Sequence, residues 1–292
     1  MAESRNVKKE SDKKKQQEIQ LKLKKFRRGA VFCIGLGVVL FLLCSYVLFK
    51  VGTITVEGVA DDFCKGTHKY TNSCYYSDEE IIKICGVSEG ESLVLISKED
   101  IAESIETLLP YIGNVEVKRQ YPSTLKIIVE DTHAQYAVDA GGGYTLLDKN
   151  FKALERTEDI PSYCAKLIGV HLLSAELGES AAFEDESCKS KLSSIEDYCE
   201  KSGLMPITKI DIVNIVNISF TVADRYTIVL GSMTDLDEKF NAAVNAINAE
   251  NEKGTVSRQI INVVDPKRAY VGADNSSLDD KSDDSDEIIA VG

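Results

Sequence analysis

The sequence contains no tryptophan and only three histidines among its 292 residues. Without tryptophan, stacking on a sugar would fall to Tyr and Phe, which do not cluster anywhere in the chain. His68, His133 and His171 belong to no recognisable nucleophile or metal motif, and the GxSxG, HExxH and Walker patterns are missing. The sequence therefore predicts no catalytic residue, no metal site and no cofactor, and it favours a binding or scaffold role.

Charge is missing from one long stretch, residues 30–49, which read AVFCIGLGVVLFLLCSYVLF. A bilayer core of roughly 30 Å needs about 20 apolar helical residues, so we predict a transmembrane helix here. A cleavable signal peptide is the main alternative. Its apolar core is normally about 7–15 residues long and ends in small residues, whereas this run ends in Tyr46, Val47, Leu48 and Phe49.

The two sides of the predicted span differ in charge. Residues 1–28 hold eleven Lys or Arg and four acids, so the positive-inside rule assigns the arm of residues 1–29 to the cytoplasm and everything after the span to the outside. The whole chain has a net charge of -13. The acidic ectodomain repels nucleic acid, and the basic arm is better explained by attraction to anionic lipid headgroups.

Six of the eight cysteines follow the span. Cys64 and Cys74 flank a polar loop and are the pair that we most readily expect to form a disulfide, although an even count permits disulfides without requiring them. Cys188 and Cys199 fall in one predicted helix, where eleven residues rise about 16 Å, which is too far for a disulfide. A zinc site at Cys64, His68 and Cys74 fits no compact ligand spacing.

The first part of the ectodomain predicts a small α+β unit. Ser77 precedes Glu80 by three residues and Ser97 precedes Asp100 by three, and each pair is typical of a helix start. Strand patterns occupy residues 54–58, 115–117 and 125–129. The order of strand, helix, helix, strand and strand favours two helices on one face of a three-stranded sheet.

From His133 onward the pattern changes to short strands. They are predicted at residues 136–139, 144–147, 165–168, 207–212, 216–222, 226–230 and 257–264. A helix is predicted at about residues 184–201, and Thr234 with Asp237 predicts a capping box that opens another. Gly141, Gly142 and Gly143 fit a hairpin turn. Residues 272–292 are acidic and rich in serine, so we expect a disordered tail.

These features resemble the FtsQ/DivIB family of bacterial cell-division proteins. The most specific signals are ITVEG at residues 54–58 and VEVKRQYPSTLKIIVE at residues 115–130, with its aromatic-proline turn. Phe151 stands where the family usually has a glycine. The resemblance implies an α+β fold in five parts: a cytoplasmic arm (1–29), a transmembrane helix (30–49), a POTRA domain (51–131), a β domain of mixed or antiparallel strands with helices (132–271) and an acidic tail (272–292).

The resemblance also implies a function. It predicts a non-enzymatic scaffold at the division septum, anchored in the cell membrane by one span, with FtsL-like and DivIC/FtsB-like partners and an influence on septal peptidoglycan synthesis. In the family, the last strand of the β domain and the segment after it receive the DivIC/FtsB partner, and the matching residues here are Ile260, Ile261, Asn262, Val263, Val264, Arg268, Ala269 and Tyr270. The alternative is a membrane-tethered envelope enzyme, whose mark would be a deep pocket of converging Asp, Glu or His residues.

Overall fold

The computed structural model describes residues 31–41, 43, 44, 46, 48–59, 71–254 and 256–273. The predicted cytoplasmic arm, Cys64, His68 and residues 274–292 lie outside this part of the chain, as do four residues of the predicted span. The described residues between 31 and 48 are helical and exposed. Within the described residues, no helix combines the length and the apolar character that crossing a membrane requires.

The first domain is the predicted two-helix, three-stranded unit. Its elements are β1 (Thr53–Gly58), α1 (Asp78–Cys85), α2 (Lys98–Leu108), β2 (Ile112–Gln120) and β3 (Thr124–Asp131). The central strand is β3, which pairs with β1 in parallel and with β2 in the antiparallel sense. Both outer strands, β1 and β2, are therefore edges of this sheet.

Both predicted helix starts of the first domain are present. Ser77 and Glu80 form a complete capping box at α1, and the Ser97 hydroxyl accepts a hydrogen bond from the Asp100 amide at 3.2 Å at α2. The apolar faces of the two helices then cover the sheet, and the fully buried core residues are Ile81, Leu93, Ile105, Ile112, Leu125, Ile127 and Val129.

The second domain is built on one nine-stranded mixed sheet with the order β14-β13-β12-β11-β10-β7-β4-β5-β6. Its strands are β4 (Tyr136–Asp139), β5 (Tyr144–Leu147), β6 (Ala153–Thr157), β7 (Ala165–Ile168), β10 (Ile207–Asp211), β11 (Ile218–Val222), β12 (Tyr226–Gly231), β13 (Gln259–Asn262) and β14 (Tyr270–Ala273). Two further strands, β8 (Leu172–Ser174) and β9 (Ala182–Phe183), form a separate two-stranded antiparallel sheet.

Two helices complete the core of the second domain. They are α3 (Ser187–Ser202) and α4 (Leu236–Glu252). The predicted face of α3, Leu192, Ile195 and Cys199, is fully buried, and the ring of Phe240 on α4 stacks on that of Phe220 at 5.4 Å between centroids. Cys188 and Cys199 both lie on α3 as free thiols, so the prediction that they do not pair is confirmed.

The predicted capping box of α4 is wrong. Asp235 occupies the N-cap position with a φ of 54° and makes no side-chain capping bond. The Thr234 hydroxyl instead lies 2.9 Å from that of Ser232. The spacing of Thr234 and Asp237 fits a capping box, but the left-handed conformation at Asp235 turns the chain so that the helix begins one residue later than the box requires.

The two domains contact each other through polar groups as well as apolar ones. Lys152, in the loop before β6, donates through Nζ to the carbonyl oxygens of Glu106 and Ile112 in the first domain, the second at 2.7 Å. Within the second domain, the Thr132 hydroxyl donates to Asp148 Oδ2 at 3.0 Å, and both residues are buried, which ties the start of this domain to the loop that carries Lys152. These bonds fix the start of the second domain against the end of α2.

Candidate partner-binding edge

One end of the nine-stranded sheet is formed by the last two strands of the described chain. Because α4 returns the chain to the starting end of β12, the next strand, β13, runs parallel to β12. The chain then turns back, and β14 pairs with β13 in the antiparallel sense, with Tyr270 opposite Asn262 and Val271 opposite Ile261. The outermost strand is therefore β14.

A compact turn of residues 263–269 joins β13 to β14. The Asn262 side chain accepts a hydrogen bond from the Val264 amide, and Asp265 Oδ1 accepts one from the Lys267 amide, both at 3.0 Å. The Arg268 amide donates to the Asp265 carbonyl at 3.0 Å. Short polar side chains that bond to the backbone two residues on are typical of turns, and they hold Arg268 next to the edge strand.

The predicted site residues divide between core and surface. Ile261 and Val263 are fully buried, and Ile260 and Asn262 are half-buried, so four of the eight offer little side-chain surface. Val264, Arg268, Ala269 and Tyr270 are exposed, and 60% of Tyr270 is accessible. Val271 is exposed as well, so the turn and the edge strand carry both apolar and basic side chains on their surface.

A last strand at residues 257–264 would lie at the edge of the sheet and be open to a partner, but β14 takes that position. Since β13 is paired on both sides, its backbone is not open to an incoming strand. The outer side of β14 is the edge, and β14 includes Gly272 and Ala273, the first two residues of the predicted acidic tail. A turn at Asp265 and Pro266 followed by Tyr270 and Val271 is a hairpin signal that could have identified this strand.

The edge is basic, although the chain as a whole has a net negative charge. Between residues 253 and 273 there are four Lys or Arg and a single acid, Asp265, whereas the whole chain has 47 acids and 34 Lys or Arg. Lys253 is paired with Glu250 at 2.6 Å, while Arg258, Lys267 and Arg268 are exposed. Such a surface attracts acidic partners and steers their approach.

The second group of predicted site residues is the cysteine pair. Cys74 is disulfide-bonded, and Cys64 lies outside the described residues, so their pairing stays a prediction. The segment at Cys74 is fixed to the end of β3, because Asp131 accepts hydrogen bonds from the Ser73 hydroxyl at 2.7 Å and from the Cys74 amide.

Among the described residues there is no group of three or more His, Cys, Asp or Glu that could hold a metal ion.

Comparison with known proteins agrees with this architecture. Residues 71–131 match the family model of the POTRA domain, FtsQ-type. The chain is 28% identical over 151 residues to cell division protein DivIB of Clostridium acetobutylicum, a match that covers 50% of this chain and 60% of that protein. It therefore spans less than two thirds of that relative's length.

Two further relatives extend the comparison. The chain is 22% identical over 240 residues to cell division protein DivIB of Clostridium botulinum, covering 81% of this chain and 87% of the relative. It is 29% identical over 128 residues to cell division protein FtsQ of a Geobacter species, covering 43% of each.

The matched domain and the relatives point to the same class of protein. The matched first domain makes the chain a POTRA-containing protein of α+β fold. The FtsQ-type domain and the DivIB and FtsQ relatives make the chain similar to cell-division proteins of the FtsQ/DivIB family.

Proposed function

We propose that this chain is a non-enzymatic scaffold of the cell-division machinery, and that its β14 edge binds a DivIC/FtsB-type partner by strand addition. The observation that supports this most is the position of β14, which is exposed along its whole length at the end of a nine-stranded sheet. An edge strand presents unpaired N–H and C=O groups, and an extended segment of another chain can pair with them.

The side chains around β14 suggest how a partner is selected. Tyr270 offers a large exposed ring at the start of β14, and Arg268 offers a charge at the end of the turn. Aromatic residues and arginine are enriched among the residues that dominate binding energy at interfaces. In this proposal the backbone of β14 provides the affinity, while Tyr270 and Arg268 provide the specificity.

The proposal includes a membrane anchor at residues 30–49, with the arm of residues 1–29 in the cytoplasm and residues 51–131 and 132–273 outside. The uncharged sequence supports it, together with the exposure of large apolar side chains at Val31, Phe32, Ile34 and Phe41. A soluble surface rarely exposes a contiguous apolar patch of this kind. An FtsL-like protein would complete the assembly, which would influence septal peptidoglycan synthesis.

Binding of the purified full chain to a DivIC/FtsB-type ectodomain from the same organism tests the proposed edge. Tyr270→Ala combined with Arg268→Glu is expected to weaken the affinity by roughly 30-fold or more, since each is of a residue type that commonly costs over 1 kcal/mol when truncated. Far-UV circular dichroism should not change, because both side chains are exposed.

A matched control comes from exposed residues elsewhere in the second domain. Val216→Ala combined with Lys149→Glu removes one exposed apolar side chain and reverses one exposed charge, and it should leave the affinity at the wild-type value. Equal affinity for the two double variants would rule out the β14 edge as the binding surface.

A further inference from the structure

The chain enters the first domain between two loops of that domain. The Leu93 amide donates to the Phe49 carbonyl at 2.9 Å, and the Gly52 amide donates to the Ser123 carbonyl at 2.7 Å. The rings of Phe49 and Tyr121 meet edge to face, with their centroids 4.9 Å apart. The loop of residues 88–97 and the turn of residues 121–123 therefore flank the point at which residues 31–48 join the domain.

Both loops expose large apolar or aromatic side chains at this point. Leu95 is 73% exposed, Val94 is 43% exposed and Tyr121 is 57% exposed, although Leu93 and Ile96 beside them are buried in the core. Their exposure is not needed for the fold, because the adjacent positions already anchor the loop. Tyr46 and Leu48, immediately before the domain, are exposed as well. Exposed apolar side chains therefore occur both in residues 31–48 and on the two loops that flank the entry of the chain into the domain.

The strand register shows that this surface lies at one end of the sheet. Thr53 pairs with Thr124, and Gln120 also pairs with Thr124, so these residues mark the end beside the two loops. Ile112 pairs with Asp131 at the opposite end, where the second domain begins. Six residues of β1 separate the two ends on that edge, a distance of roughly 20 Å.

We propose that Val94, Leu95 and Tyr121 insert into the headgroup region of the membrane that holds the anchor, so that this end of the first domain lies on the lipid. The proposal rests on the proposed anchor at residues 30–49. Tyrosine favours the membrane–water interface because its ring is amphipathic, and exposed aliphatic side chains add buried apolar area.

The charges of the loop indicate the kind of lipid. Glu89 and Glu91 lie on the same loop and are exposed, so they would be repelled by anionic headgroups. The contact therefore depends on apolar burial, and zwitterionic phosphatidylcholine is sufficient for it. The consequence for the protein is that the first domain has a fixed orientation on the membrane, with its opposite end and the second domain directed away.

The absence of tryptophan from the chain makes a direct test simple. Leu95→Trp and Tyr121→Trp each introduce a single fluorophore into the full chain, which is reconstituted in nanodiscs of phosphatidylcholine with or without brominated acyl chains. The control is Val59→Trp, because Val59 is 50% exposed in the same domain but follows β1 at the opposite end.

We expect brominated lipid to quench Leu95→Trp and Tyr121→Trp by about twofold and to leave Val59→Trp unchanged, since quenching requires the indole to reach the lipid boundary. If the chain incorporates into nanodiscs but all three variants are quenched equally, or none is, the lipid contact is overturned and the anchor stands. If the wild-type chain does not incorporate at all, the anchor and the contact are both overturned.

Discussion

Glu196 is a carboxylate held against a buried tyrosine. It projects from α3, and its carboxylate accepts a hydrogen bond from the hydroxyl of Tyr136, a residue that is 1% exposed. Burial raises the pKa of Glu196 above its ordinary value, although the bond from Tyr136 opposes this shift. The folded protein thus binds a proton at the Glu196 carboxyl group more tightly than the unfolded chain does. The contribution of Glu196 to the free energy of unfolding is fully present below the pKa that this residue has in the unfolded chain. It is lost as the pH rises through the pKa of Glu196 in the folded protein.

Replacing this carboxylate tests the effect. Glu196→Gln keeps an acceptor for Tyr136 but removes the titration, so we expect the variant to unfold at a higher temperature than wild type at about pH 7 and to show no such gain at about pH 4. Thermal unfolding followed by circular dichroism at the two pH values measures this. Glu200→Gln, at an exposed position of the same helix, is the control, and an equal gain at both pH values would contradict the explanation.

Sequence patterns predict the environment of individual residues only in part. The buried face of α3 follows from the helical spacing of Leu192, Ile195 and Cys199, but no local pattern shows that Glu196 meets a tyrosine 60 positions earlier in the chain. Phe151 is a clearer case. The family resemblance predicts glycine at this position, and the φ of 63° at Phe151 is a left-handed conformation that glycine adopts without strain. Its ring stacks on Tyr136 at 5.5 Å, a tertiary contact that glycine would lose.

At the scale of elements, Lys152 makes two of the polar contacts between the two domains. Lys152 bonds to carbonyl oxygens of Glu106, near the end of α2, and of Ile112, at the start of β2. A cation at a helix C-terminus also interacts favourably with the helix dipole. Desolvation lowers the pKa of Lys152, while the nearby carboxylates of Asp148 and Glu106 oppose that shift.

Lys152→Met should therefore weaken the junction of the domains. It retains most of the aliphatic side chain but leaves both carbonyl groups without this donor, which is expected to cost about 1–3 kcal/mol of unfolding free energy. Urea denaturation measures this value. Lys149→Met, an exposed lysine of the same loop, should change stability by less than about 0.5 kcal/mol. If the two variants unfold at the same urea concentration, the junction does not depend on Lys152.

Elements with strong local signals are predicted well, and elements that depend on tertiary pairing are not. The capping residues Ser77 and Ser97 identify α1 and α2, whereas the Thr234 pattern fails because the backbone at Asp235 is left-handed. The strand β14 has only four residues, all of them exposed, so it shows no alternation between buried and exposed positions. It is defined by pairing with β13, and because of this pairing the open edge lies at residues 270–273, of which the predicted site (residues 260–264 and 268–270) includes only Tyr270.

At the scale of the whole molecule, the first domain is predictable and the sheet order of the second is not. The first domain has consecutive elements that pair locally, apart from β1, and its sequence resembles a known module. In the second domain, β7 lies between β4 and β10, far from β6 in space although next to it in sequence. Such an order depends on which strands pack on α3 and α4, and strand patterns alone do not contain that information.

The central claim is that this chain acts in cell division, and its position in dividing cells tests the claim most directly. A fluorescent protein fused to the N-terminus of the full chain should form a band at mid-cell as the septum develops, because a scaffold of the division machinery assembles where its partners do. Uniform fluorescence around the whole membrane throughout the division cycle would contradict the account.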